Sequence, residues 1–360
     1  MVSPPTHGFE GGAVIVGVGL LAAALVTFAL TGLVRMYLIR HRILDHPNHR
    51  SAHTVSTPRG GGLALAATVL AGIALFAAQR IVDGQVAAAI GGGGAAIVLV
   101  GWIDDRRGLS AGTRALVHVA AAAWAVWWVG GLPSIRLGST TLSLGVGGSV
   151  FAVLLIAWTT NLYNFMDGID GIAAVEAATV GGVAGALLLL QGQLALGVIA
   201  GLVAASSVGF LRWNWQPAKV FMGDCGSGFL GFVFGTLCIA SEARGALPLV
   251  AWLIILGVFV FDATATLLRR VARGDPLAEA HRLHAYQRLE TSGVTHAQIS
   301  TLTIITSLAL GSLAWLGIER PLLLPAIGAA SLVGLAGLYA AIERRAPFGG
   351  GPQASSEPRR

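Results

Sequence analysis

Residues 148–190 read GSVFAVLLIAWTTNLYNFMDGIDGIAAVEAATVGGVAGALLLL. Two apolar runs, roughly 148–163 and 170–190, flank a polar knot that begins at Asn161, and about 20 mostly apolar residues suffice to cross a bilayer. The rest of the chain repeats this alternation. Of its 360 residues 55% are hydrophobic and 11% charged, and the mean hydropathy is +0.75. A soluble domain carries about 25% charged residues. These values exclude a soluble globular enzyme and imply an all-α fold, a polytopic integral membrane helical bundle. The abundance of glycine, 50 residues, suits close helix packing in lipid.

About eleven transmembrane helices are expected, at roughly 12–34, 61–79, 86–103, 114–130, 148–163, 170–190, 193–211, 227–242, 246–268, 300–317 and 322–342, the fifth and eighth being short. Nineteen Arg and Lys residues fall on one set of connections and the C-terminal tail, and only Arg80, Arg136, Arg244 and Arg320 on the other. By the positive-inside rule this puts the N-terminus outside and the C-terminus in the cytoplasm. The net charge of +6 is therefore topological, and no nucleic acid partner is implied. Residues 1–12 lack Lys and Arg, so no cleavable signal is expected there and the first run stays as a span. Cys225 and Cys238 do not suggest a disulfide framework. Residues 1–345 form one membrane domain, and 346–360, rich in Gly, Pro and Ser, are expected to be a disordered tail.

Four polar clusters all fall at the expected cytoplasmic face. Acidic groups at a bilayer boundary are costly and usually serve chemistry. Asp104-Asp105 can hold Mg2+ or act as a base, or can simply be a helix end paired with Arg106 and Arg107. Asn164, Asp167 and Asp170 are spaced by three; in a helix each adjacent pair shares a face, while the plainer reading is a cap on the sixth helix. Nearby Asn161 adds to that cluster. Gly223-Asp224-Cys225-Gly226-Ser227 opens a helix, offering backbone N–H groups to phosphate and a carboxylate to metal. His281, Arg282, His284 and Arg288 can clamp a pyrophosphate. His49 and His53 are expected to face solvent or phosphate, and His118 to be a packed polar residue. Thr57-Pro58-Arg59-Gly60-Gly61-Gly62 either admits a ligand to the backbone or is a flexible entry to the second span.

Together these residues resemble the polyprenyl-phosphate N-acetylhexosamine-1-phosphate transferases. That superfamily includes the enzymes that start enterobacterial common antigen and O-antigen, and the phospho-MurNAc-pentapeptide translocase. The resemblance runs in order from about Asp45 to Arg288, through Thr57–Gly62, Asp104-Asp105, Asn164–Gly171 and Phe221–Asp224. It implies Asn164 and Asp224 as Mg2+ ligands, Phe221 and Asp170 as uracil-recognition positions, and Arg114 as a phosphate contact. Asp104 and Asp105 match the paired acids, Asp167 belongs to the shared cluster, and Arg59 joins the substrate-binding set. His281 and His284 complete the catalytic set. The fourth motif, His281-Arg282-Leu283-His284, lacks the three consecutive histidines of the peptidoglycan branch and looks more like the O-antigen initiating enzymes. The implied reaction is attack of undecaprenyl phosphate on the β-phosphorus of a UDP-HexNAc, with Mg2+ bridging the pyrophosphate and UMP leaving. The bilayer holds one substrate and water the other, so the site must lie at their boundary; a homodimer is left open. The rivals are a CDP-alcohol phosphotransferase, whose further Asp residues after Asp-Gly are missing here, and a secondary transporter, for which Asp262 is the one intraspan acid in view.

Overall fold

A computed structural model describes residues 7–47, 55–276 and 281–349. His49, His53 and residues 350–360 lie outside the described residues. The helices are α1 (His7–Arg40), α2 (Gly62–Ala78), α3 (Gly84–Arg107), α4 (Ala111–Val129), α5 (Val146–Phe165), α6 (Ile172–Leu190), α7 (Leu194–Asn214), α8 (Asp224–Ala243), α9 (Leu249–Ile255), α10 (Gly257–Arg273), α11 (Ala285–Thr291), α12 (His296–Glu319) and α13 (Leu324–Arg345). Two short antiparallel pairs complete the described structure: β1 (Leu44–Asp45) with β2 (Thr57–Pro58), and the hairpin β3 (Ser134–Leu137) with β4 (Thr140–Ser143).

All eleven expected segments are helical. Among the described residues, α1, α3, α5, α6, α7, α8, α12 and α13 are long and apolar enough to cross a membrane. The expected ninth span is broken: α9 and α10 meet at 85°. Its composition explains the bend. The buried stripe of α10 contains Asp262, Thr266 and Arg270 beside Phe259 and Ala263, so one face must find polar partners in the protein. Ala346 and Phe348, which the sequence assigns to the tail, are anchored to the bundle. Arg288 Nη1 donates to the Ala346 carbonyl at 2.6 Å, Glu343 accepts from Phe348 N at 2.9 Å, and the Phe348 ring lies under Arg269 and Arg273.

α8 is the axis of the bundle, buried along nearly its whole length, with α3 and α5 packed on it. Small residues allow that closeness. A Cβ on Gly101 of α3 would sit 2.5 Å from Cys225 N, and one on Gly62 of α2 would collide with Gly226 Cα. Three helices therefore meet backbone to backbone where α8 begins. At the other end of α8, Glu242 accepts from Arg136 Nε and N at 3.0 Å and from Leu249 N at 2.5 Å, and Arg136 also donates to the carbonyls of Gly245 and Ala246. This ties the β3–β4 hairpin to the α8–α9 turn.

Candidate active site

The site is assembled at the end of the bundle where α8 starts. Gly223, at φ +74°, turns the chain so that Asp224 becomes the first residue of α8. No side chain of α8's own cap residue serves its free N–H groups. Asp105, at the end of α3, does so: Oδ1 accepts from Asp224 N at 2.9 Å and Oδ2 from Cys225 N at 3.2 Å. The N–H groups expected to await phosphate are thus occupied by a carboxylate, because a helix N-terminus stabilises any anion placed there. The Asp105 side chain is fully buried, which fits a cap better than a ligand.

The segment before α2 reaches the same place through backbone pairing. Phe221 N donates to the Pro58 carbonyl at 2.8 Å, and the Phe221 carbonyl accepts from Gly60 N and Gly61 N. Arg59 is thereby held over the acids. Its Nε donates to Asp105 at 2.9 Å and its Nη2 to Asp224 at 2.6 Å, with Asp45 3.7 Å away. Burial works against the Arg59 charge, but Asp224, Asp105 and Asp45 outweigh it and raise its pKa. Arg114, one turn into α4, donates to Asp104 at 2.8 Å and lies 3.4 Å from Asp224. Leu109 N also binds Asp104. The two neighbouring acids have separated duties: Asp105 fixes α8 and Asp104 fixes Arg114. Neither pairs with Arg106 or Arg107.

Asn161 and Asn164 lie on the last turns of α5, but Asp167 and Asp170 do not continue it. The helix stops at Phe165, and Gly171 at φ +81° restarts the chain as α6, so the run of shared faces expected from the spacing is replaced by a loop. Asn164 and Asp224 line a cavity of about 130 Å3 with Arg114, His118 and Asn161. His118 is buried as expected, yet it borders this cavity and its Nδ1 has no partner. Asp167 is half-buried; burial pushes its carboxyl well above the ordinary range, aided by Asp224, Asp105 and Asp170 and opposed by Arg59. Asp170 faces a second cavity of about 370 Å3, shared with Phe221, Thr57, Gln216, Glu290 and His296. Phe221 and Asp170, 51 positions apart in sequence, thus meet on one wall.

The fourth cluster docks on the Asn164–Gly171 loop. Tyr286 Oη donates to the Phe165 carbonyl at 3.1 Å, and Gly168 is packed so tightly on that hydroxyl that a Cβ would clash. Asp262 fixes the start of α11, accepting from Ala285 N at 2.8 Å and Tyr286 N at 3.3 Å, with His284 Nδ1 3.6 Å away. The acid that invited a transporter reading is a cap. Arg282 binds Glu290, and His284 is buried against Tyr286. Burial, then His284 and Arg270, hold His281 down to about 4, so it is a neutral hydrogen-bonding group near neutral pH rather than a cationic clamp. Sequence reasoning missed Asp262 as a cap and His296 altogether. The remote capping of α11 leaves no local signal, whereas His296 follows directly on the Thr295 capping box of α12.

The donor set suits a hard divalent cation. Asp224 and Asn164 offer oxygen atoms to one cavity, and Mg2+ takes only one or two protein carboxylates beside water. Among the described residues no three His, Cys, Asp or Glu side chains gather as a metal cluster.

Residues 87–242 match glycosyl transferase family 4. The chain is 31% identical to the probable undecaprenyl-phosphate N-acetylglucosaminyl 1-phosphate transferase of Bacillus subtilis (strain 168), over 80% of each chain. It is 31% identical to the decaprenyl-phosphate N-acetylglucosaminephosphotransferase of Mycolicibacterium smegmatis, covering 87% of this chain and 81% of that one. A phospho-N-acetylmuramoyl-pentapeptide-transferase of Moorella thermoacetica is 34% identical over 45% of this chain and 50% of its own.

Proposed function

The chain belongs to glycosyl transferase family 4, and from that premise we propose that it transfers a HexNAc-1-phosphate from a UDP-sugar to undecaprenyl phosphate, releasing UMP, to begin a cell-envelope polysaccharide. One observation carries this reading: Arg59, Asp104-Asp105, Arg114, Asn164–Asp170 and Phe221–Asp224, from five separate segments, converge at one end of a membrane bundle, where Asn164 and Asp224 line one cavity and Asp170 and Phe221 another. A reaction between a lipid phosphate and a water-soluble nucleotide sugar requires such a place. Relatives named for N-acetylglucosaminyl 1-phosphate transfer align over 80–87% of the chain, while pentapeptide-transferase matches cover 45% and 60% of it. Both this and the fourth motif favour a HexNAc donor over a MurNAc-pentapeptide one.

In this reading Phe221 offers its ring to the uracil and Asp170 accepts from the base edge. Arg59 and Arg114 exchange part of their carboxylate contacts for phosphate oxygens, for which guanidinium forks are well shaped. Asp224 and Asn164 would hold Mg2+, which would supply compensation for phosphate charge when bound. Asp167, whose carboxyl burial pushes well above the ordinary range, is the acid best suited to take and return a proton. His281 serves as a neutral hydrogen-bonding group beside the loop that carries Asp167, with the His284 ring packed near it. The acid end faces the cytoplasm, where the nucleotide sugar is.

Purified protein incubated with undecaprenyl phosphate, Mg2+ and a panel of UDP-HexNAc donors, with lipid product and UMP followed by mass, tests the reading. Failure of every donor sinks it. Asp224→Asn is expected to abolish transfer and flatten the Mg2+ titration; normal turnover and titration in that variant would remove Asp224 from the ligand set.

A further inference from the structure

The first turn of α12 lies outside the stretch that matches the family, residues 87–242, yet it grips the carboxylate assigned to the donor base. His296, its first residue, is buried; its Nδ1 accepts from Asp170 N at 3.3 Å and lies 3.4 Å from Asp170 Oδ2. One turn on, Ser300 Oγ donates to the Asp170 carbonyl at 3.3 Å. Asp170 Oδ2 also accepts from Ala218 N at 3.0 Å, out of the loop that leads to Phe221. The α7 end reinforces the joint: Gln216 Oε1 accepts from Ala297 N at 2.8 Å, and Asn214 Oδ1 accepts from Gly171 N at 3.1 Å.

These contacts divide the labour of the two carboxylate oxygens. Oδ2 is held by Ala218 N, while His296 and Ser300 hold the Asp170 backbone N–H and carbonyl from which the side chain projects. Among the described residues Oδ1 has no protein partner, and Asp170 and His296 both line the 370 Å3 cavity that Phe221 closes. Free rotation of the Asp170 side chain would present either oxygen, or neither, to a ligand. A carboxylate aimed at a base edge discriminates only if its direction is fixed, because the selectivity comes from leaving a wrong base with an unmatched polar atom.

We propose that His296, assisted by Ser300, is the positioning residue that orients Asp170 toward the uracil of the donor and so sets nucleobase selectivity. This deepens the proposed transfer reaction and rests on it. His296 is not a catalytic residue: it acts through Asp170, at the rim of the site away from Asp224 and Asn164.

The test uses the full-length protein in detergent and two readouts, calorimetric binding of UMP and CMP, and steady-state transfer with the two substrates varied separately. His296→Ala is expected to weaken UMP binding and raise KM for the UDP-sugar by about tenfold, the upper weight of one ordinary hydrogen bond. The ratio of UMP to CMP affinity falls with it, while kcat and KM for undecaprenyl phosphate stay within about twofold. His296→Asn, whose amide oxygen can accept from Asp170 N in place of Nδ1, restores most of the selectivity. Ser300→Ala gives a smaller loss in the same direction and serves if His296→Ala does not fold. Unchanged UMP affinity and base selectivity in both Ala variants overturns the proposal. So does an equal loss for both substrates without loss of base selectivity, which marks a merely structural residue. If instead the wild-type protein neither binds UMP nor transfers sugar phosphate, it is the transfer reading that falls.

Discussion

At the scale of single residues, the acids of this site are distinguished by what already binds them. Asp105 spends both oxygens on the start of α8 and on Arg59, Asp104 is committed to Leu109 and Arg114, and Asp224 sits between two guanidinium groups. Five carboxylates that look equivalent in sequence are therefore not interchangeable. Phe221 is fixed by its own backbone bonds to the Pro58–Gly61 segment, so truncating its ring removes stacking area without freeing the chain. Phe221→Ala is expected to raise KM for the UDP-sugar by the equivalent of about 1–3 kcal/mol while leaving KM for undecaprenyl phosphate alone. Separate substrate titrations check this, and a shift confined to the lipid substrate would move Phe221 into the lipid groove. His281 carries a pH prediction. Its pKa is depressed to about 4 in the fold, below the ordinary 6.5, so the unfolded chain binds the proton first as pH falls. The stability it contributes is full above the ordinary value and is lost as pH drops toward 4. Thermal melts in detergent should show wild type losing more Tm between pH 7.5 and 5 than His281→Gln, which does not titrate; identical slopes would contradict the assignment.

At the scale of elements, the decisive feature is the contact of α3 with α8. Gly101 lets Asp105 reach the first N–H groups of α8, since a Cβ there would lie 2.5 Å from Cys225 N and 2.6 Å from Asp224 C. Those are backbone atoms that cannot rotate away. Gly101→Ala must part the helices, at a cost of about 1–3 kcal/mol, and move Asp224 with them. Turnover is expected to fall by about a hundredfold, as displacement of a catalytic group by about an ångström can do, with a measurable drop in Tm. Wild-type kinetics in that variant would show that the cap does not set the position of Asp224. The sequence is uneven in how much of this it reveals. Helix positions were legible because apolar length alone specifies a span, and the membership of the site was legible because carboxylates are rare in such a chain. What each carboxylate does was not. Capping of α8 by Asp105 and of α11 by Asp262 joins residues 119 and 23 positions apart, and no local pattern encodes them. The spacing of Asn164, Asp167 and Asp170 leaves helix and cap both open, because spacing by three is shared by helices and by turns that end in glycine. The bend between α9 and α10 was hidden because their combined length matches one straight span.

At the scale of the whole molecule, charge is sorted between the two ends of the bundle, and pairing sharpens the contrast. The acid end gathers Arg59, Arg114, Arg269, Arg282 and Arg288 around the site and its flank. The other end holds few basic residues, and two of these are neutralised in place, Arg136 by Glu242 and Arg244 by Asp83. A membrane protein retains its basic end in the cytoplasm, so the acid cluster should face the nucleotide pool and the β3–β4 hairpin the periplasm. The chain is well suited to a direct test, because its two native cysteines, Cys225 and Cys238, are free but buried and should stay silent to a membrane-impermeant maleimide. Cysteines introduced at Thr140 and Arg320, both exposed at the hairpin end, are expected to label in intact cells, and one at the exposed Arg107 only after permeabilisation. Labelling of Arg107→Cys from outside would turn the site away from UDP-sugar. No water-soluble donor could then reach Asp170 and Phe221 from the cytoplasm, and the transfer reaction could not be the function of this end of the bundle.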